Sequence, residues 1–182
     1  MGYQNREIEV KLKVTSKTKT RINMENLSNI MQKGLINFKK EIGSSTDLYY
    51  YSPFNKSAFI RLRKSGKKSQ ITTKIKDRDS ILDRVEIDLE ITDPKQAEIF
   101  LDTVFKQKAG EITKKYIVFI LENEFTTISI YKVLFDVFIE IEATTIKRIV
   151  ELEDKIIKSL NNSCNLKRID KSLFEMYIEN KI

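Results

Sequence analysis

The 182 residues suit one domain over 1–182, and 41% hydrophobic residues are enough for a core. The chain has no histidine, which excludes a Ser-His-Asp triad, a Cys-His pair and a His-ligated zinc site. Its 33 Lys and Arg against 26 Asp and Glu give a formal charge of +7, which favours anionic partners such as nucleotides, polyphosphates or nucleic acid.

The run Met1 to Arg6 lacks an apolar signal core, and no stretch approaches the ~18 apolar residues of a membrane span, so a cytoplasmic protein is expected. Residues 6–14 alternate strictly: Glu7, Glu9, Lys11 and Lys13 fall on one face, and Ile8, Val10, Leu12 and Val14 on the other. Period two predicts a strand. Residues 18–33 carry Ile22, Leu27, Ile30 and Met31 at helical spacing, ending near Gly34. A strand is expected over 35–42, followed by a further passage through Asp47 to Tyr51. Residues 58–64 and 70–76 read as a hairpin turned by Ser65 to Lys68. Residues 82–91 alternate again, with Arg84, Glu86, Asp88 and Glu90 on one face. Pro94 suits the first turn of a helix over about 94–105. Strands are expected near 111–121, 125–133 and 136–143. Ile146, Ile149, Leu152, Ile156 and Leu160 mark an amphipathic helix over 145–161. The single cysteine, Cys164, lies near the end of that helix and reads as an incidental thiol, with no partner for an internal disulfide. A short helix over about 170–180 closes the chain. Strand runs separated by helices predict an α+β fold rather than a parallel βαβ sheet.

The charged faces are segregated by sign. Acids occupy 7 and 9, bases 61, 63, 74 and 76, acids 86 to 90, and acids 140 and 142. For any one strand a solvated polar face explains such a pattern. Across five strands, like charges at adjacent same-face positions would repel unless something of opposite charge sat between them. Carboxylate pairs suit Mg²⁺ or Mn²⁺ through oxygen ligands. Guanidinium and ammonium pairs suit phosphate. Such faces turned inward in a closed antiparallel barrel would bind a metal–polyphosphate complex, with the helices at 18–33, 94–105 and 145–161 covering the apolar outside.

The order of these pairs resembles the CYTH, or triphosphate tunnel metalloenzyme, superfamily. Glu7-Ile8-Glu9-Val10-Lys11 matches its ExExK signature. Arg61-x-Arg63, Lys74-x-Lys76, Arg84-x-Glu86 and Phe138-x-Glu140-x-Glu142 follow in order, and Lys171-Ser172 resembles its C-terminal Lys-Ser-Tyr element. The resemblance implies an eight-stranded antiparallel tunnel with a charged interior. It implies that Glu7, Glu9, Glu140 and Glu142 bind Mg²⁺ or Mn²⁺ and, with Lys11, form the catalytic set. It implies that Lys11, Arg61, Arg63, Lys74 and Lys76 clasp a triphosphate, that Arg84 and Glu86 line the tunnel, and that Lys171 reaches phosphate from outside the wall. The sequence departs from the family pattern at Thr113-Lys114-Lys115-Tyr116, where Lys115 or Lys114 supplies one charge of an incomplete pair. It departs also at Ile130 to Val133, which lacks an acid, and at Leu173, where the family has tyrosine.

The superfamily includes thiamine triphosphatases, inorganic tripolyphosphatases, RNA triphosphatases and class IV adenylyl cyclases. The resemblance therefore implies a metal-dependent triphosphatase acting on a small-molecule triphosphate. The alternatives are a class IV-type adenylyl cyclase and a non-catalytic nucleotide- or polyphosphate-binding protein. With much of the basic charge assigned to the tunnel, nucleic acid is not an expected partner, an RNA 5′ triphosphate end excepted. The chain suits a monomer or a homodimer.

Overall fold

The computed structural model describes residues 5–18, 21–51, 58–66, 68–76, 83–105, 108–122 and 125–179, with the backbone alone at 5–7, 58, 74–76 and 83–85. In chain order the elements are β1 (Asn5–Ser16), α1 (Met24–Met31), a 3₁₀ turn (Gln32–Gly34), β2 (Phe38–Tyr51), β3 (Ala58–Ser65), β4 (Ser69–Lys76), β5 (Asp83–Ile91), α2 (Pro94–Phe105), β6 (Lys108–Leu121), β7 (Thr126–Val133), β8 (Asp136–Ala143), α3 (Ile146–Leu160), β9 (Cys164–Arg168) and α4 (Leu173–Ile178). The fold is α+β. Among the described residues one sheet has nine strands where eight were expected, in the hydrogen-bonded order β5-β4-β3-β2-β6-β7-β8-β1-β9, with a further pairing of β5 and β1. The pairs β1–β8, β1–β9, β2–β3, β3–β4, β4–β5 and β7–β8 are antiparallel.

Three local differences from the sequence reading have physical causes. β2 is one 14-residue strand where two pieces were expected. Gly43, between the two expected pieces, has no positive φ, and the strand runs through it. α1 begins at Met24 rather than near 18, because Asn23 caps it: its Oδ1 accepts from the amides of Glu25 (2.8 Å) and Asn26 (3.3 Å). β9 was not expected; it pairs with β1, Leu12 opposite Arg168 and Ser16 opposite Cys164.

The chain divides into two compact units. One comprises Met1–Glu7, Gly43–Lys114 and Lys171–Ile182. Its apolar face packs Leu48, Tyr50 and Leu62 on Leu101 of α2, flanked by Ile60, Ile71, Ala97 and Phe105. Asp93 Oδ1 accepts from the amides of Lys95 and Gln96, which starts α2 where Pro94 suits the first turn. On the opposite strand face α4 stacks Phe174 on Tyr49, ring centroids 4.8 Å apart. A Cβ at Gly110 would collide with the Tyr177 ring, so α4 lies against bare β6 backbone there.

The other unit comprises Ile8–Ile42 and Lys115–Asp170. Val10, Leu12, Val14, Ile128, Ile130, Ile139 and Ile141 pack against Leu27 and Met31 of α1 and Ile149, Leu152, Ile156 and Leu160 of α3. Helices therefore cover the apolar face of these strands, as the alternation implied. Arg168 of β9 grips buried Glu153 of α3 with two hydrogen bonds, which ties the unexpected strand to the helix. Among the described residues no helix is long and apolar enough to cross a membrane.

Candidate functional site

Register builds the acidic part of the site. In the β1–β8 pair, Glu9 lies opposite Glu142 and Lys11 opposite Glu140. Period two puts these four on one face, with Val10, Leu12, Ile139 and Ile141 turned into the core. One carboxylate oxygen from each of Glu9, Glu140 and Glu142 lies within 4.8 Å of the others. Lys11 Nζ is 3.0 Å from Glu140 and 3.9 Å from Glu9, and Lys11 and Glu9 are 5% and 6% exposed. From β7, Thr127 Oγ1 donates to Glu142 (2.7 Å) and the Tyr131 hydroxyl to Glu140 (3.1 Å), which orients both carboxylates.

Three carboxylates crowd together beside the Lys11 ammonium in a place largely shielded from water. Every acidic donor is a hard oxygen, and the set contains no thiol or imidazole. The donors therefore fit a divalent cation of the Mg²⁺, Mn²⁺ or Ca²⁺ type rather than a soft metal.

The basic part lies in the first unit. Arg61 is 8% exposed; its Nη2 donates to Thr72 Oγ1 (3.0 Å) and to Glu86 Oε1 (3.4 Å). Arg61 Nε is buried with no hydrogen-bond partner among the described residues. A buried guanidinium N–H left unpaired is costly, and an anion oxygen would satisfy it. Arg63 stands opposite Asp47 in the β2–β3 register and donates to both its oxygens, at 2.8 and 2.9 Å. Lys114 Nζ is 3.6 Å from Asp47. Burial works against the charged form of Asp47, but the Lys114 ammonium and the Arg63 guanidinium outweigh it and hold the carboxyl well below the usual carboxylate range. Further along, Thr72 Oγ1 donates to Asp88 (2.6 Å).

The structure thus brings together Glu9, Lys11, Glu140 and Glu142 in one unit, and Arg61, Arg63 and Glu86 in the other. The side chains of Glu7, Lys74, Lys76 and Arg84 lie outside the described residues; their backbones put Lys74 opposite Glu86 and Lys76 opposite Arg84. At the divergent stretch Lys115 is exposed, and it is Lys114 that reaches Asp47. Lys171, at the foot of α4, pairs with Glu179 at 2.6 Å. Sequence reasoning missed Asp47, Thr127 and Tyr131. The only available signal was parity: Asp47 shares the face of Tyr49 and Tyr51, and Thr127 and Tyr131 share a face of β7.

In this α+β protein, carboxylates gather on one set of antiparallel strands and guanidinium groups on another. The chain belongs to the CYTH family, whose domain model matches residues 5–173. Solved structures with a similar fold include the PH1012 protein from Pyrococcus horikoshii OT3, 23% identical, with 93% of this chain and 98% of that one covered at a TM-score of 0.67. The adenylyl cyclase candidate HpAC1 from Hippeastrum, described as revealing a dominant triphosphatase activity, is 15% identical, with 97% of each chain covered and a TM-score of 0.66. An adenylate cyclase candidate from Vibrio parahaemolyticus is 16% identical, with 98% and 99% covered and a TM-score of 0.66. No curated protein matches the chain significantly.

Proposed function

We propose that this protein is a metal-dependent triphosphatase, cleaving a phosphoric anhydride of inorganic tripolyphosphate or of a nucleoside or other organic triphosphate. The observation that carries the reading is the acidic set Glu9, Glu140 and Glu142, held within 4.8 Å beside Lys11. These residues, with Glu7 by family resemblance, hold Mg²⁺ or Mn²⁺. When bound, such an ion neutralises phosphate charge and polarises a phosphoryl oxygen.

The remaining work falls to the chain's own cations. Arg61 offers its buried Nε to a phosphate oxygen, and Arg63 and Lys114 add charge from the same strand face. By resemblance Lys74, Lys76, Arg84 and Lys171 join the clasp, and Lys115 remains a candidate at its edge. Water attacks the terminal phosphorus, the anhydride P–O bond breaks, and the products are orthophosphate and the shortened phosphate chain. Positioning and charge stabilisation suffice for phosphoryl transfer, so the absence of a histidine is no obstacle. HpAC1, with its described triphosphatase activity, supports the same reading by analogy of fold.

The test is product analysis with tripolyphosphate, ATP and thiamine triphosphate in Mg²⁺ or Mn²⁺. Orthophosphate is the expected product, and Glu9→Gln and Glu140→Gln should each lower the rate at least about 100-fold. Cyclic AMP with pyrophosphate would replace the hydrolase by a class IV-type cyclase. Tight binding without product would make the chain a polyphosphate-binding protein. Full activity in Glu140→Gln would overturn the metal assignment.

A further inference from the structure

Asp47 lies on β2, with β3 on one side and β6 on the other. It is fully buried, yet it stands on the charged strand face and not in the apolar core. Its two oxygens take both arms of Arg63 from β3, at 2.8 and 2.9 Å, and Lys114 approaches from β6 at 3.6 Å. One carboxylate on the middle strand therefore ties down a cation from each flank. Burying a charged carboxylate is expensive, and one cation already balances its charge, yet Asp47 holds two. Two long cationic side chains would otherwise lose rotamer freedom on meeting an anion. A carboxylate that holds them beforehand removes part of that cost.

We infer that Asp47 is a positioning residue, which fixes Arg63 and Lys114 in the arrangement that receives phosphate oxygens. The inference rests on the phosphate-binding reading of this basic cluster. Two roles for Asp47 predict opposite signs. If it only balances charge, Asp47→Asn makes the cluster more positive and a polyanion binds more tightly. If it positions the cations, the same isosteric change loosens them and the polyanion binds more weakly.

The measurement is calorimetric titration of inorganic tripolyphosphate into wild type and Asp47→Asn in metal-free buffer, where turnover does not compete. The Kd is expected to rise about tenfold, the scale of one charge-assisted contact. In turnover assays the loss should fall on KM more than on kcat. Unchanged or tighter binding by Asp47→Asn overturns the inference while leaving the phosphate reading intact. Failure of wild type to bind tripolyphosphate overturns the phosphate reading and takes the inference with it. Should Asp47→Asn not fold, Asp47→Asn/Lys114→Met restores the charge balance. Its binding is then set against Lys114→Met alone: weaker supports positioning, and equal or tighter overturns it.

Discussion

Lys11 lies 3.0 Å from Glu140 and 3.9 Å from Glu9, at 5% exposure, so the acidic cluster carries a cation of its own. That ammonium lowers the repulsion among the three carboxylates, and it also opposes a divalent ion approaching them. Lys11→Met should therefore act in two directions. In the metal-free protein it leaves the carboxylates less compensated and should cost about 3–5 kcal/mol of stability, read from urea unfolding in EDTA. In the absence of phosphate it should make Mg²⁺ bind more tightly, read by calorimetry. Weaker Mg²⁺ binding in the variant would mean that Lys11 is not the local counter-ion. The carboxylates themselves were legible in the sequence, because Glu-x-Glu on a strand puts two acids on one face. Asp47 was not, because a lone acid ahead of Tyr49 to Tyr51 has no same-sign neighbour to mark it. Its partners come from β3 and β6, and only the register brings Arg63 and Lys114 to it.

Elements with a full apolar face were readable almost to their ends. The helix expected over 94–105 is Pro94–Phe105, and that over 145–161 is Ile146–Leu160. β9 carries only Cys164 and Leu166 as apolar residues in five, too few for a period, and it forms because the edge of β1 accepts it. The short α4 depends on its start. Ser172 Oγ accepts from the Glu175 amide at 3.1 Å, and the Glu175 carboxylate accepts from the Ser172 amide at 2.6 Å. The serine that the resemblance singled out beside Lys171 is thus a helix cap. Ser172→Ala should cost α4 about 1 kcal/mol, seen as faster hydrogen exchange at amides 173–178. Exchange in the α3 core, at Ile149 and Ile156, should not change. An unchanged rate over 173–178 would show that the Phe174 stack on Tyr49 alone holds the helix.

At the scale of the molecule, a chain of net charge +7 repels free cations, so a divalent ion binds only where a local acidic excess overcomes that field. On the proposed reading that place is the cluster of Glu9, Glu140 and Glu142 in one compact unit, while Arg61, Arg63 and Lys114 lie in the other. The strands β1, β2 and β6 contribute residues to both units, which leads us to expect a single unfolding transition for the whole chain. On the proposed reading, Mg²⁺ at about a hundred times its Kd should stabilise the folded state by about 2.7 kcal/mol, which for a chain of this size would raise Tm by roughly 5–10 °C. Sodium chloride at matched ionic strength should not reproduce the shift, EDTA should reverse it, and Glu140→Gln should lack it. Tripolyphosphate should move the same transition through the basic cluster. Two resolved transitions, one answering to Mg²⁺ and the other to tripolyphosphate, would mean that the units unfold separately. No shift with either would remove the physical basis for reading the charged strand faces as binding sites.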